Sequence, residues 1–375
     1  MKAVITVARI IVGVLFIFSG LVKANDPLGL SYKMQEFFEV WGWGFLDPFT
    51  LSFSILMIAF EIIAGVAVLL GWQMRLFSWL LLLLIIFFTF LTGYAVFSGK
   101  IRTCGCFGDC IPLTAEQSFT KDLVLTALIV FIFIFRNQVQ PAFTAKVSGR
   151  ILLLTVLFSF ALQGYVFKHL PLVDCLPYKV GRNIQQQMRV PPGAVPDSTV
   201  ITFVYDKKGQ QVEFTSDQFP DDFDDSVYHF VKRYDKLVRA GNAQPAIKDF
   251  VLTSLDGADS TAAVLEKKTV SFLLFVKDGM NTDANRKENR QLQQIVAYAR
   301  QQQLPFYLVT NAREVMAEFN AAVKDSVSSF LCDAVAIKTA ARANPTLYQL
   351  KDGTIQHKWA FADFDKANAL ITGKQ

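Results

Sequence analysis

Residues 51–72 have the sequence LSFSILMIAFEIIAGVAVLLGW, and this stretch decides the fold class of the chain. It is apolar over the roughly 20 residues that an α-helix needs to cross a lipid bilayer, and its only charged residue is Glu61. Four more segments share this character: Val4–Val22, Leu76–Phe97, Leu123–Phe135 with its flanks, and Ile151–Phe167. Five such segments in succession predict a membrane α-helical bundle rather than the core of a soluble protein.

The composition of the whole chain agrees with a membrane location. Of its 375 residues, 52% are hydrophobic and only 18% are charged, which is more apolar than is usual for a soluble protein. The net charge of +5 is small and dispersed, so no nucleic acid is expected as a partner. The alternative for the first segment, a cleaved signal peptide, is disfavoured because Arg9 interrupts it and four more spans follow. The lipid bilayer is the first predicted partner.

Basic residues in the short loops predict the orientation of the bundle. Arg75 lies between the second and third segments, and Arg136, Lys146 and Arg150 lie between the fourth and fifth without an acidic residue among them. These loops and the N-terminus are expected in the cytoplasm. The Asn25–Thr50 loop and everything after the fifth segment are then expected outside. We therefore expect a bacterial inner-membrane protein with a periplasmic C-terminal part, where disulfides are permitted.

The most informative motif is CGCFGDC at residues 104–110, which holds three of the five cysteines of the chain. It places Cys104, Cys106 and Cys110 in one glycine-containing loop on the predicted periplasmic face. Thiols this close together favour thiol–disulfide exchange. Cys175 follows the fifth segment on the same predicted face and is a candidate resolving or shuttle partner. These four cysteines are candidate catalytic residues.

Two other roles for the cysteines stay open from the sequence. A purely structural disulfide would pin the loop, for instance between Cys106 and Cys110. Metal binding by the thiols is less favoured, because no Cys-x-x-Cys pair or nearby histidine accompanies them, and no metal site is predicted. A disulfide from the loop to Cys175 requires the two Cα atoms to approach within ~7 Å.

Glu61 is a further candidate catalytic residue. It lies about halfway along the second segment, where a carboxylate is energetically expensive and often functional. It would protonate a quinone or relay protons; the alternative is a neutral glutamic acid hydrogen-bonded to a neighbouring helix. Within the spans, Arg9 is the obvious cationic partner. The cofactor is left open, with a quinone as the candidate.

From Pro171 onward the composition is that of a soluble protein. The connector, residues 171–244, is rich in proline at its start. It then contains a predicted β-hairpin, Ile201–Tyr205 with Gln211–Thr215, and a predicted helix, Ser226–Arg239. We interpret this piece as a spacer or small subdomain without recognisable chemistry.

Residues 245–375 predict an α/β domain with the thioredoxin-like order of elements: a β-α-β unit, a hairpin and a last helix. Pro345 precedes the hairpin at the place of that fold's cis-proline and is a candidate cis-proline. A redox Cys-x-x-Cys should follow the first central strand, but residues 277–283 are KDGMNTD. The domain is therefore expected to be redox-inactive by itself and to bind clients, and Cys332 is expected to be a small buried apolar residue.

The N-terminal segments resemble a known family. The first two helices of DoxX-type proteins are matched by RIIVG at 9–13, SG at 19–20, DP at 26–27, EIIAG at 61–65 and GW at 71–72. Cys104–Gly108 matches the motif of the MauE branch, the methylamine-utilisation membrane proteins. The resemblance covers about residues 1–135.

This resemblance implies a four-helix DoxX/MauE-like core in residues 1–140 and a fifth transmembrane helix in residues 141–170, ahead of the connector and the thioredoxin-like domain. MauE-type proteins are associated with disulfide formation and maturation of a periplasmic methylamine dehydrogenase subunit. DoxX-type relatives are associated with thiosulfate- or quinone-linked redox chemistry. The fusion resembles a layout of DoxX-family proteins in Bacteroidetes. No link to methylamine follows from the chain itself.

We therefore expect an inner-membrane protein in periplasmic thiol–disulfide or quinone-linked redox chemistry, with a periplasmic protein as its client. If it is an enzyme, it is a thiol–disulfide or quinone oxidoreductase. The alternative is a non-enzymatic membrane scaffold or assembly factor whose thioredoxin-like domain only binds a partner.

The orientation can be tested with the substitution Lys351→Cys. We expect a membrane-impermeant thiol reagent to label this cysteine in intact spheroplasts, because the basic loops keep the opposite end of the bundle in the cytoplasm. A matched control, Ala142→Cys in the Arg136–Arg150 loop, should be labelled only after lysis. The reverse pattern would contradict the predicted orientation.

Overall fold

The N-terminal region of the computed structural model is a bundle of helices. Across the chain, the structure describes residues 2–373 except 102–104, 196–197, 208, 217, 221, 225, 240, 242, 278, 280–286 and 324. The helices of this region are α1 (Lys2–Ala24), α2 (Pro27–Trp41), α3 (Thr50–Leu70), α4 (Met74–Ser98), α5 (Ala115–Ile134) and α6 (Ala145–Lys168). All but α2 are, by length and composition, apolar enough to cross a membrane, so the five predicted segments are confirmed as helices of spanning length.

The segment between the first two spans is more ordered than the loop expected from the sequence. It contains α2, whose first turn is capped by Asp26: the Gly29 amide donates to Asp26 Oδ1 at 3.0 Å. Pro27 occupies the first helical turn, where its missing amide hydrogen costs nothing. The direction of the spans brings α2, the cysteine loop and the end of α6 to the same end of the bundle.

Helices α1 and α3 pack closely because glycines face each other where they cross. A Cβ atom placed on Gly65 would lie 2.9 Å from the carbonyl oxygen of Gly13 and 3.0 Å from the amide nitrogen of Ile17. Small residues at such crossings let two backbones approach in a membrane, where no hydrophobic force drives helices together. The α1–α3 pair therefore depends on these glycines.

At the C-terminal end of α3, Arg9 binds the last carbonyl groups of the helix. Its Nε donates to Val68 O at 3.1 Å and its Nη2 donates to Leu69 O at 2.9 Å. Val68 O also accepts from the Gly71 amide at 3.0 Å, and the negative end of the helix dipole favours a cation beside these last carbonyls. Arg9 is thus a helix cap and not the partner of Glu61 that the sequence suggested.

Residues Ile184–Lys248 form a separate compact unit. It contains α7 (Ile184–Gln187) and an antiparallel sheet of β1 (Ser198–Lys207), β2 (Gln210–Thr215) and β3 (Tyr228–Arg239), in the order β2-β1-β3. The predicted hairpin corresponds to β1 and β2. The predicted helix Ser226–Arg239 is wrong, because that segment is β3. Its aromatic and β-branched residues suit a strand, and β1 offers it a long antiparallel partner.

The C-terminal region is a thioredoxin-like α/β domain. Its elements are α8 (Thr261–Leu265), β4 (Val270–Val276), α9 (Lys287–Gln301), β5 (Phe306–Thr310), α10 (Arg313–Val323), β6 (Ser328–Leu331), α11 (Ala334–Ala340), β7 (Thr346–Lys351), β8 (Thr354–Ala360) and α12 (Phe364–Thr372). The sheet order is β6-β5-β4-β7-β8. Strands β4, β5 and β6 are parallel, whereas β7 and β8 are antiparallel to their neighbours.

The core of this domain lies between the sheet and its helices. Phe272 and Leu274 of β4 pack with Leu292 of α9, Phe319 of α10 and Phe364 of α12, and all five side chains are buried. The near-continuous apolar pattern of β4 follows from its position inside the sheet, where both faces are covered. The Asn344–Pro345 peptide bond before β7 is cis.

The glycine contact between α1 and α3 predicts the effect of Gly65→Ala. The new Cβ would meet backbone atoms that cannot move independently, so we expect the free energy of unfolding to fall by about 1–3 kcal/mol. Thermal unfolding in detergent micelles, followed by tryptophan fluorescence, measures the change. Gly164→Ala in α6 is the matched control, because a Cβ there meets no atom within 4 Å. Equal midpoints for the two variants would contradict the close-packing argument.

Candidate functional site

A cavity of about 460 Å³ lies inside the membrane bundle, beside the cysteine loop. Most of its wall is apolar and includes Leu15 and Phe16 of α1, Phe37 of α2, Phe60 of α3 and Phe88 of α4. Polar side chains also line it: Ser19, Lys23, Lys33, Glu61, Thr92, Cys106, Lys121 and Asp122. An apolar chamber with a few polar groups is the usual form of a small-molecule site.

Glu61 is paired with Lys23 in this cavity. Lys23 Nζ donates to Glu61 Oε1 at 2.6 Å, and the two side chains are only 4% and 1% exposed. Ser19 Oγ lies 3.0 Å from Glu61 Oε2. Lys23 is near the end of α1, and helical side chains point back toward the start of their helix, which brings its ammonium group to the middle of α3. This pairing replaces the expected partner, Arg9.

A second ion pair lies at the start of α5. Lys121 Nζ is 2.5 Å from Asp122 Oδ1, and Thr92 Oγ1 of α4 donates to Asp122 Oδ2 at 3.1 Å. Asp122 is completely buried. Both residues lie in the polar flank of the fourth segment and are not among the site residues predicted from the sequence. The signal that reveals them is a carboxylate inside a span, the same signal that singled out Glu61.

Cys106 brings a free thiol to this cavity. Its carbonyl oxygen lies 3.1 Å from Ser19 Oγ, which ties the loop to α1. Burial raises the pKa of the Cys106 thiol above its ordinary value, and Asp122 adds to this, whereas Lys121 and Lys23 oppose it. The thiol is therefore protonated at neutral pH, with two cations nearby that would stabilise the thiolate when it forms.

Cys110 and Cys175 form a disulfide, with their Cα atoms 4.8 Å apart. This is one of the pairings that the sequence left open between the loop and Cys175. It bridges the cysteine loop to the segment that follows α6. Cys104 lies outside the described residues. Among the residues that the structure does describe, no group of three His, Cys, Asp or Glu side chains is arranged to hold a metal ion.

The remaining candidates lie in the thioredoxin-like domain. Pro345 lines a cleft of about 750 Å³, together with Tyr32 and Gln35 of α2 and Lys277 after β4. Cys106 lines the cavity in the bundle, whereas Pro345 lines this cleft. Cys332 is a free, buried thiol, and burial raises its pKa to about 12, so it is chemically inert.

Comparison with known proteins agrees with the N-terminal assignment. Residues 1–135 match the family model described as methylamine utilisation protein MauE. The N-terminal region is therefore similar to proteins of the MauE family over these residues. Residues 199–240 match a domain of unknown function, DUF8463, which lies within the β1–β3 unit.

Two further similarities involve parts of the chain. Over 157 residues, the chain is 27% identical to Protein TlpB of Flavobacterium psychrophilum, and this covers 41% of the chain and 43% of that relative. The match thus spans less than half of the relative's length. The solution structure of a thiol:disulfide interchange protein from Bacteroides sp. is 14% identical, with a TM-score of 0.26, and covers 34% of this chain and 90% of that one.

The burial of the Lys23–Glu61 pair predicts the effect of Lys23→Met. The substitution leaves the Glu61 carboxylate buried without its cation, and we expect the free energy of unfolding in detergent micelles to fall by about 3–5 kcal/mol. Combining it with Glu61→Gln removes the unpaired charge and should restore most of the loss. The control Lys33→Met breaks a partly exposed pair with Glu36 and should cost no more than about 1 kcal/mol. Equal losses for Lys23→Met and Lys33→Met would show that the buried pair is not special.

Proposed function

We propose that this protein is a membrane oxidoreductase that transfers electrons from the dithiols of client proteins to an apolar electron carrier inside the bundle. One observation carries the proposal: the free thiol of Cys106 lines an apolar cavity within the membrane, while Cys110 in the same loop is joined to Cys175. A purely structural loop has no need of a second, unpaired thiol beside two buried ion pairs.

The first step is an exchange at the Cys110–Cys175 disulfide. A client thiolate attacks one sulfur and breaks the Sγ–Sγ bond, and the second client thiol then resolves the mixed disulfide. The client leaves with a disulfide, and its two protons and two electrons remain on the thiols of Cys110 and Cys175. Cys104 and Cys106 are the candidates for the next pair: their disulfide would reoxidise Cys110 and Cys175 and become a dithiol at the cavity.

A quinone is the carrier that fits this cavity best. The volume of the cavity, about 460 Å³, lies in the range of small-molecule sites, about 300–1,000 Å³. When bound, a quinone accepts two electrons and two protons. Lys23, Lys121 and Ser19 would donate hydrogen bonds to its carbonyl oxygens, and the paired carboxylates of Glu61 and Asp122 would receive and pass on the protons released by the Cys106 thiol.

We place the cysteine loop and the thioredoxin-like domain on the periplasmic side of a bacterial inner membrane, with the N-terminus in the cytoplasm. The basic loops support this orientation, and a disulfide at this end of the bundle suits an oxidising compartment. We also retain as proposals the domain limits 1–140, 141–170, 171–244 and 245–375.

The thioredoxin-like domain is proposed to bind the client. Residues 277–283 hold no cysteine, so binding without redox chemistry is the role left to this part of the fold. The cleft lined by Pro345 and α2 is the candidate docking place. The alternative function is a non-enzymatic scaffold or assembly factor, in which the Cys110–Cys175 disulfide only braces the loop. That bridge, which ties two distant segments together, is the observation that favours it.

The test uses the purified full-length protein in liposomes containing a quinone and a reduced client-like protein dithiol. We expect quinone-dependent loss of free thiols from the dithiol, and Cys106→Ser should slow it by at least ~100-fold, since the link to the cavity is lost. Cys332→Ser is the matched control and should retain the wild-type rate. Absence of quinone-dependent turnover in the wild type, or full activity of Cys106→Ser, would favour the scaffold.

A further inference from the structure

Each half of the Cys110–Cys175 disulfide is preceded directly by an aspartate, and both aspartates bind cations of the thioredoxin-like domain. Arg342 Nη2 donates to Asp109 Oδ2 at 2.9 Å. Lys358 Nζ donates to Asp174 Oδ2 at 3.0 Å. Arg342 lies shortly after α11 and Lys358 lies in β8, so two separate elements of one domain hold the two sides of one disulfide.

Both cations are buried although they are charged. The side chain of Arg342 is 5% exposed and that of Lys358 is 2% exposed, whereas Asp109 is about half exposed. Burial opposes the charge on Arg342, but Asp26 and Asp109 more than offset it and raise its pKa. Burial lowers the pKa of Lys358, and Asp174 opposes that change. The carboxylates therefore favour the charged form of each cation at its buried position.

The same contacts reach the membrane helices. Arg342 Nε also donates to Asp26 Oδ2 at 2.8 Å, and Asp26 caps α2. Beside it, Asn25 exchanges two hydrogen bonds with the backbone of Val173, at 2.8 and 3.0 Å. The segment leading to Cys175 is therefore held on one side by Asn25, which directly follows α1, and on the other by Lys358.

We propose that Arg342 and Lys358 are positioning residues for the Cys110–Cys175 disulfide. Their ion pairs with Asp109 and Asp174 attach the thioredoxin-like domain to the helical bundle, and we call this attachment the dock. The dock stabilises the disulfide, and reduction of the disulfide weakens the dock. The inference rests on the proposed redox function for its biological meaning, but its physical content is independent of the cavity.

Formation of the disulfide and attachment of the thioredoxin-like domain are thermodynamically linked. The disulfide holds Asp109 and Asp174 at a fixed separation, and the two cations sit at a fixed separation on a rigid sheet domain. Reduction breaks the Sγ–Sγ bond and adds two protons and two electrons, supplied by a dithiol that becomes a disulfide, and it releases the two aspartates from one another. If the disulfide raises the equilibrium constant for attachment of the domain by a given factor, attachment of the domain raises the equilibrium constant for disulfide formation by the same factor.

This coupling suits a client-driven cycle. A client that reduces the disulfide would weaken the hold on Arg342 and Lys358 at the moment when it leaves oxidised. Reoxidation from the loop would restore the dock. The thioredoxin-like domain, which lacks cysteines at residues 277–283, would then respond to the redox state without taking part in thiol exchange.

The test measures the redox equilibrium of Cys110 and Cys175 in the full-length protein, in a Cys104→Ser, Cys106→Ser background that removes the chemistry of the cavity. The protein is equilibrated in mixtures of reduced and oxidised dithiothreitol, and its thiols are counted by mass-tagging. We expect Arg342→Gln and Lys358→Gln each to shift the equilibrium roughly tenfold toward the dithiol, which for a two-electron couple is about 30 mV.

Two controls separate positioning from general damage. Lys287→Gln breaks an exposed ion pair with Asp365 in the same domain, and Leu292→Ala opens a cavity in the domain core. Neither should move the potential, although Leu292→Ala lowers the stability of the domain. A shift as large for Leu292→Ala as for Arg342→Gln would overturn the proposal, as would no shift for either cation variant.

A double-mutant comparison gives the second readout. Asp109→Asn should shift the equilibrium by itself and add little to Arg342→Gln, since both remove one contact, and Asp174→Asn should behave in the same way with Lys358→Gln. Fully additive effects would contradict the pairing. Because the cavity cysteines are absent, a positive result stands even if no quinone-dependent turnover is found, and a negative result leaves the proposed function untouched.

Discussion

The buried ion pair between Lys23 and Glu61 is the interaction on which the rest of the bundle depends. A carboxylate in the middle of α3 is tolerable in a membrane only with a partner, and the partner comes from α1, the helix that packs against α3 through Gly13 and Gly65. The close crossing of these helices sets the distance over which Lys23 must reach. Close packing and charge neutralisation therefore require the same arrangement of α1 and α3.

The cavity follows from this arrangement. Two ion pairs, Lys23–Glu61 and Lys121–Asp122, place charges around one end of an apolar chamber, and the cysteine loop closes that end with Cys106. The charges are neutralised in pairs, so the chamber can hold polar groups without a net charge in the membrane. The chemistry proposed for the site needs such surroundings, because thiol oxidation releases protons that must be received nearby.

Part of the fold and part of the candidate site can be predicted from the sequence. The five spans were predicted because apolar length is a local property of the chain. The likeness of the cysteine loop to MauE and the order of the C-terminal elements were also visible as patterns.

The partner of Glu61 could not be predicted from the sequence, since Lys23 is near the end of its helix and only the three-dimensional crossing brings it to α3. The strand β3 was mistaken for a helix because its pairing with β1 is a tertiary property. Which cysteine of the loop forms the disulfide with Cys175 likewise depends on the path of the loop, and this path brings Cys110 to Cys175.

The buried thiol of Cys332 has a practical consequence. It lies in the thioredoxin-like domain, shielded from solvent and with a pKa of about 12, so alkylating reagents should ignore it for as long as the domain keeps its native fold. Once the domain opens, the same thiol becomes an ordinary, reactive one. Alkylation of Cys332, distinguished from that of the free thiol of Cys106 by peptide mapping, therefore reports loss of the native fold of the thioredoxin-like domain.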